Sequence, residues 1–487
     1  MIHSNKKLKK SSKNKYKLLS LFSGAGGLDL GFELSERFKA LFANDILYSP
    51  AETYAYNFHG SIINSEKKKF NYDKPIFLLM DASDINFETF SKIKPDILVG
   101  GPPCQDFSIV RGPSYERVGI ANRRGKLYSQ FIRALIHLQP KIFIFENVPG
   151  LKSANKGFAY KIILEDFSNL DVRWDEIKKI VKDDYSNNIK KYLIIFSDII
   201  NSANLGVPQK RKRLIIIGIR EDLIQNNLII FNLLKQEAEN ILANYNSLLK
   251  KYPLTPLEVF EGKTLDNLNK KYKEIMRQYF EVADKINTPR ALEWKNKVWE
   301  KLKFDSVKDY LIVNNISPIN NYEVKTAFKE HKKVLKELGY YDKNVNNLDF
   351  PDGSNTITPE KEKVKGRLKW IPPDENHLFV KGTPWEVNGN GMSLIYRRIH
   401  PLKPAYTIVA YGGGGTWSYH YDRNRSKLTN RERARLQTFP DWFLFKGSIT
   451  QIRAQIGEAV PVLLSKNIGQ LTSKVLDRVN NGFSDCQ

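Results

Sequence analysis

Cysteine is almost missing from this chain: among 487 residues there are two, Cys104 and Cys486. Two cysteines cannot form a disulfide framework, and their scarcity fits a reducing cytoplasm. The seven histidines show no ligand spacing. No Cys/His cluster of metal geometry can be assembled, so no metal is expected. No stretch approaches the roughly 20 apolar residues that cross a bilayer, and the basic start from Met1 to Lys17 lacks an apolar signal core. Neither export nor membrane insertion is expected. Acids are also short: 53 Asp and Glu face 77 Lys and Arg, a net +24. That balance suits a polyanion, nucleic acid first. An AT-rich coding sequence would also enrich Lys, Asn and Ile.

What is present is a series of short, uninterrupted apolar runs. Leu18-Leu19-Ser20-Leu21-Phe22 reads as a strand, Ser23-Gly24-Ala25-Gly26-Gly27 as a glycine loop, and Leu28 to Glu33 as the start of a helix. Further runs lie at 40–43, 76–79, 97–99, 142–145, 193–196 and 214–217. Such runs mark strands buried on both faces. They alternate with helix-compatible stretches such as Lys126 to Leu138, which predicts an α/β fold with a doubly wound, mostly parallel sheet ending near Arg220. From Glu221 the chain turns charged and Asn/Lys-rich, with helical stretches such as Leu265 to Ile286, and reads as a second, smaller domain. Strand-like Ala405 to Val409 leads into Gly412 to Gly415, and Thr429 to Gln437 has the form of a capped helix.

Chemistry concentrates at a few places. Gly100-Gly101-Pro102-Pro103-Cys104 sets a thiol in a stiff turn directly after the strand Ile97-Leu98-Val99. Strand ends of open α/β sheets bind ligands, so Cys104 is a candidate nucleophile; a small buried cysteine under a tight turn is the alternative. Glu146 closes the run Ile142 to Phe145 and so reaches the same sheet edge, as a proton-handling acid or as an ion-paired residue. Gln209-Lys210-Arg211-Lys212-Arg213 precedes Leu214 to Ile217; in extended chain Arg211 and Arg213 share a face able to hold a phosphate or carbonyl oxygen, unless the run is merely solvated. The Gly24 to Gly27 loop can cradle a cofactor, with Asp45 after the next strand as a ribose-binding acid, or be a plain turn. Asp29 replaces the third glycine of a dinucleotide fingerprint, which favours a cofactor without pyrophosphate, such as S-adenosylmethionine.

In this order Phe22 to Gly27, Gly101 to Gln105, Glu146-Asn147-Val148, Gln209 to Arg213, Thr429 to Pro440 and Gln455 to Pro461 resemble the motifs of the DNA (cytosine-5)-methyltransferase family. The likeness covers about residues 18 to 220 and 395 to 470. It implies a Rossmann-like, S-adenosylmethionine-dependent catalytic domain at 18–220, completed by 452–480 and preceded by a basic tail at 1–17. A target-recognition domain would occupy 221–451. The layout looks like a monomeric bacterial type II modification enzyme acting on double-stranded DNA, paired in function with a restriction endonuclease.

The resemblance also assigns roles. Cys104 would attack C6 of a flipped-out cytosine, Glu146 would hold and protonate N3, and Arg213, helped by Arg211, would grip the ring oxygen and a phosphate. Phe22, Gly24, Ala25, Gly26, Gly27, Leu28, Asp45, Ile46, Asp81, Ala82, Pro102, Glu458, Ala459 and Val460 would line the cofactor. Gln105, Ser108, Tyr411, Gly412, Gly413, Gly414 and Thr416 would meet DNA. Two positions depart from the commoner pattern: Ile46 stands where a stacking aromatic is frequent, and Glu458 where Asn is usual. A tRNA cytosine methyltransferase on the same scaffold and a DNA-binding protein without turnover are the alternatives, separated by the polymer that is methylated and by whether any is.

Overall fold

The computed structural model describes residues 15–65, 73–103, 125–185, 188–224, 227–243, 247–387 and 392–481. The chain divides into two compact units: Met1–Ile200 with Lys212–Tyr245 and Val462–Gln487, and Asn201–Arg211 with Asn246–Pro461.

The apolar runs of the first unit become the strands β1 (Tyr16–Leu21), β2 (Phe38–Asp45), β3 (Ser61–Ile63), β4 (Ile76–Leu79), β5 (Ile97–Gly100), β6 (Ile142–Asn147), β7 (Tyr192–Asn201) and β9 (Lys212–Arg220), with the two-residue β8 (Gln209–Lys210) lying in the second unit. They form one sheet in the order β3-β4-β2-β1-β5-β6-β9-β7. The pairs from β3 to β6 are parallel, and β9 runs antiparallel to β6. Register aligns the strand ends. Leu21 lies beside Asn44 and Gly100, and Gly100 beside Phe145, so β1, β2, β5 and β6 end in one row. Phe22, Asp45, Gly101 and Glu146 each stand one residue beyond it. Because β9 is reversed, with Leu214 opposite Asn147, its first residues enter at that same edge.

One face of the sheet is covered by Gly125–Leu138, Phe158–Ser168 and Leu170–Val181. There Phe131 meets Phe143, Phe145 and Phe167 edge to face, each such pair adding about 0.5–1.5 kcal/mol beyond burial. The helix Val462–Asn480 packs on Gly27–Leu34. At Gly31 a Cβ would stand 2.4 Å from the Val462 carbonyl, so glycine lets the two helices touch, and Ser465 Oγ donates to the Leu28 carbonyl.

The unit boundaries fall away from those expected. Leu228–Leu242, expected in the recognition domain, belongs to the first unit because its buried side, Leu234, Ala238 and Leu242, packs with Val462–Asn480. The return into the first unit begins at Val462 rather than 452. Asn201–Arg211 joins the second unit, where the side chains of Gln209 and Arg211 bond to its backbone.

The second unit is mostly short helices. Thr255–Glu258, Thr429–Glu432 and Ser448–Gln451 form reciprocal capping boxes, satisfying amide donors that a helix start leaves open. Arg431 is bound to Asp352 (2.8 Å) and Arg435 to Asp441 (2.6 Å) deep in this unit. The stretch Leu265 to Ile286 is broken into Leu265–Asn267, Asn269–Arg277 and Phe280–Lys285. Only Ala405–Tyr406 of the expected strand pairs, as β10 beside β8. No helix among the described residues is long and apolar enough to cross a membrane.

Candidate active site

The glycine loop is built by left-handed backbone. Phe22, Gly24 and Gly26 have φ of 56°, 52° and 88°. The Gly26 amide donates to the Ser23 carbonyl (2.9 Å), and a Cβ on Gly26 would lie 2.7 Å from the rings of Tyr54 and Phe58. Gly24 differs: apart from its chain neighbours, no atom of the described residues lies within 4 Å of where its Cβ would be. Its amide donates to Asp45 Oδ2 (3.0 Å), while Asp45 Oδ1 accepts from the Leu47 amide (3.1 Å). Burial pushes the Asp45 carboxyl up against the opposing pull of those amides. Asn44 ties the neighbouring strand ends by donating to the carbonyls of Leu78 and Met80, both at 2.9 Å. Asp81 follows, its Oδ1 accepting from Ser83 N (2.8 Å) and Oγ (2.7 Å), and the Ala82 carbonyl takes a bond from Arg133 (2.8 Å).

Sequence reasoning noted Asp29 only as a departure from the dinucleotide fingerprint; the structure shows what it does under this loop. Asp29 is fully buried in the first turn of Gly27–Leu34, accepting from Ser20 Oγ and Tyr54 Oη, each at 3.0 Å. Burial lifts its carboxyl to about 7. Ser20 in turn accepts from Ser23 (2.9 Å), whose Oγ accepts from the Asn44 amide (3.2 Å). The signal was available, since an acid among Leu28, Leu30 and Phe32 cannot be there for burial of apolar surface.

At the end of the neighbouring strand β5, Gly101 allows the acid to come close: a Cβ there would stand 2.6 Å from Glu146 Oε2. Glu146 Oε1 accepts from Arg213 Nε at 2.8 Å, with both side chains mostly buried. Burial lowers the Arg213 guanidinium, and Glu146 opposes that shift. Asn147, a second residue the sequence reading left without a role, donates to the Pro102 carbonyl (3.2 Å) and accepts from the Val148 amide (2.8 Å). It thereby pins the Pro102-Pro103 turn that leads into Cys104. Cys104, Gln105 and Ser108 themselves lie outside the described residues.

Arg211 departs from its expected role. Its amide bonds back to the Gln209 carbonyl (3.0 Å), so the chain turns locally and the every-other-residue alternation fails. The guanidinium, 1% exposed, donates to the carbonyls of Ile408 (3.1 Å), Gly457 (2.8 Å) and Glu458 (3.4 Å). A group sealed against main-chain carbonyls does not grip a phosphate; Arg211 instead holds the backbone of the second unit together. Gln209 does likewise, donating to Leu436 O (3.2 Å) and accepting from Ile408 N (2.8 Å).

In that unit Tyr411 is 69% exposed and its hydroxyl is bonded to Glu458; partial burial, and then the Glu458 charge and hydrogen bond, push the phenol above its ordinary range. Thr416 Oγ1 closes the loop, accepting from Gly413 N (3.1 Å) and donating to Gly413 O (2.9 Å). Gly413 has room for a side chain, Gly414 is held to glycine by its left-handed φ of 56°, and a Cβ on Gly412 would stand 2.7 Å from the Trp417 ring. Ala459 and Val460 follow Glu458 at the end of the helix Ile449–Glu458. In the first unit Ile46 is 61% exposed beside Asp45, where the resemblance expects an adenine contact.

A glycine loop, a row of acids and an acid–guanidinium pair along the carboxyl edge of a doubly wound sheet define an α/β enzyme of the Rossmann-like class. The chain belongs to the C-5 cytosine-specific DNA methylase family, whose profile matches residues 16–474, and its activity class is that of a DNA (cytosine-5)-methyltransferase. It is 52% identical over 468 residues to the DNA (cytosine-5-)-methyltransferase M.ApeKI of Aeropyrum pernix, across 96% of this chain and all of that one. The type II methyltransferase M.NgoFVII of Neisseria gonorrhoeae is 31% identical over 96% of this chain and 91% of its own. Among solved structures, a prophage-encoded Escherichia coli protein described as a DNA modification methyltransferase aligns with a TM-score of 0.54 at 20% identity, over 95% of this chain and all of that one. That likeness supports the fold.

Proposed function

We propose that the chain transfers a methyl group from S-adenosylmethionine to C5 of a cytosine extruded from a specific short duplex DNA sequence, through a covalent bond between Cys104 and C6. The observation that carries this reading is the Glu146–Arg213 pair, held 2.8 Å apart at the edge where Gly101 and the Asn147-pinned prolines lead into Cys104. Extrusion is required because C5 and C6 are out of reach in the stack.

In the pocket Glu146 holds a proton at N3, and Arg213 orients Glu146 and the ring oxygen. The Cys104 thiolate then adds to C6, and the C5–C6 π pair moves to C5. C5 would use that pair to bond the methyl carbon, whose bond to the donor's sulfonium sulfur would break, the electron pair staying on sulfur as a neutral thioether leaves. A base next removes the C5 proton, and the pair left behind reforms the double bond as sulfur departs. S-adenosylmethionine, when bound, supplies the methyl as an electrophile. The open space above Gly24 and the amide-fixed Asp45 fit such a group, with Phe22, Gly26, Leu28, Ile46, Asp81, Ala82 and Pro102 around it. The family resemblance adds Glu458 to Val460 to this set. The recognition surface is assigned to Tyr411 to Thr416 with Gln105 and Ser108. The enzyme works as a monomer, and the mark protects the sequence from a cognate restriction endonuclease.

The test is base-resolution mapping of 5-methylcytosine after incubating unmethylated genomic DNA with S-adenosylmethionine and either the wild-type protein or Cys104→Ser. One short methylated motif, lost in the variant and made resistant to an endonuclease cutting there, is expected. Methylation of RNA but not DNA would replace this reading with the tRNA alternative. Binding of DNA with no mark on either polymer would leave a binding protein.

A further inference from the structure

Arg453, on the helix Ile449–Glu458, is half-buried, yet among the described residues no carboxylate pairs with it. Its guanidinium carbon instead lies 4.2 Å from the centre of the Trp417 ring. Lys427 stands over the same ring at 5.4 Å. Arg433, 2% exposed, donates through Nη2 to the Trp417 carbonyl, and its Nη1 is buried with no partner among the described residues. Burial, and then the charge of Arg453, pulls the Arg433 guanidinium down to about 10. The acids nearby are already committed: Glu360 pairs with Lys427 (3.1 Å), and Glu432 pairs with Arg425 and caps Thr429 N (2.8 Å). Two arginines thus stand without a paired carboxylate, among the described residues, beneath the loop Tyr411 to Thr416, whose Gly412 backbone rests on the same indole.

Uncompensated, partly desolvated like charges are costly, and they persist where an anion supplies the missing charge. A guanidinium seated over an aromatic ring keeps N–H donors at its edge, and that fork matches the oxygens of a phosphate. We propose that Arg453, clamped on Trp417 with Arg433 behind it, is a binding site for a single backbone phosphate of duplex DNA, and that it anchors the glycine loop against the DNA without reading sequence. The assignment rests on the DNA-methylating role proposed above and adds to it a named phosphate contact.

Phosphate contacts leave a distinctive thermodynamic mark: each adds about 0.9 to the slope of log affinity against log salt, independently of sequence. The experiment measures binding of a mixed-sequence DNA duplex by fluorescence anisotropy across a series of salt concentrations, for wild type, Arg453→Gln and the exposed control Lys297→Gln, with thermal melting of each. Arg453→Gln is expected to bind roughly tenfold more weakly at low salt, with a slope shallower by about one and an unchanged melt; the control should match wild type. An unchanged slope overturns the site. If the glutamine variant does not fold, Arg453→Lys takes its place: it keeps the charge but loses the fork, so weaker binding at the wild-type slope is required, and unchanged affinity overturns the site. Wild-type methylation of the same DNA separates the two failures. A wild type that methylates while Arg453→Gln keeps the full slope removes only this site, whereas a wild type that never marks DNA removes the underlying reading.

Discussion

Arg213 Nε donates to Glu146 Oε1 at 2.8 Å, joining the start of the reversed strand β9 to the end of β6. Glu146→Gln still accepts from Arg213 but cannot deliver a proton as an acid, so kcat for methyl incorporation should fall by about 10²–10⁴, with a smaller loss of stability than that of Arg213→Ala because the guanidinium keeps a hydrogen-bond acceptor. Arg213→Ala strands a buried carboxylate and should also destabilise, by about 3–5 kcal/mol. Parallel kinetics and urea denaturation of the two variants check this. Equal stability losses would mean that the pair is only structural.

Gly101→Ala tests the same edge from the other side. The added methyl would sit 2.6 Å from Glu146 Oε2 and must push the carboxylate aside. A displacement near 1 Å costs about 10²-fold in rate, so kcat should drop strongly in a protein that still melts cooperatively. Wild-type turnover in Gly101→Ala would show that Glu146 needs no fixed position.

Arg211 and Arg213 should fail differently although they are near neighbours in the chain. Arg211→Met leaves buried carbonyls of Ile408 and Gly457 without their donor, at about 1–3 kcal/mol each. The expected result is a lower denaturation midpoint, with DNA salt dependence unchanged because no phosphate contact is lost. A shallower salt slope at wild-type stability would restore the phosphate role for Arg211.

Asp29 should make the protein lose stability as pH rises. Its folded carboxyl titrates at about 7, above the ordinary 3.8. Between those values the unfolded chain has released its proton while the folded one retains it. Stability from this residue is therefore complete below about pH 4, falls through pH 4–7, and is flat above. At about 1.36 kcal/mol per unit the loss amounts to a few kcal/mol. Asp29→Asn, which stays neutral, should gain on wild type progressively across that same window in urea midpoints. A constant difference across that range would contradict the assignment.

The central strands were legible because each is buried on both faces, which writes an unbroken apolar run; the row Phe22, Asp45, Gly101, Glu146 followed from where those runs stop. Arg211 was misread because alternation holds only in extended chain, and the turn from Arg211 N to Gln209 O is a local bond that apolar periodicity does not encode. The placement of Leu228–Leu242 was hidden for a related reason: its buried side is defined by a partner far along the chain, Val462–Asn480. Asn147 and Asp29 act through hydrogen bonds to backbone and to buried hydroxyls, contacts with no sequence period at all.

The most direct measurement places 5-fluorocytosine at the target position of the mapped motif and looks for a denaturant-resistant protein–DNA complex in the presence of S-adenosylmethionine. Fluorine cannot leave C5 as the proton does, so sulfur should remain bound to C6. The account predicts a complex of summed mass with wild type, its crosslink mapping to Cys104, and none with Cys104→Ser. Normal methylation of ordinary cytosine by wild type without any such complex, or a complex that survives in Cys104→Ser, would contradict covalent catalysis by this residue.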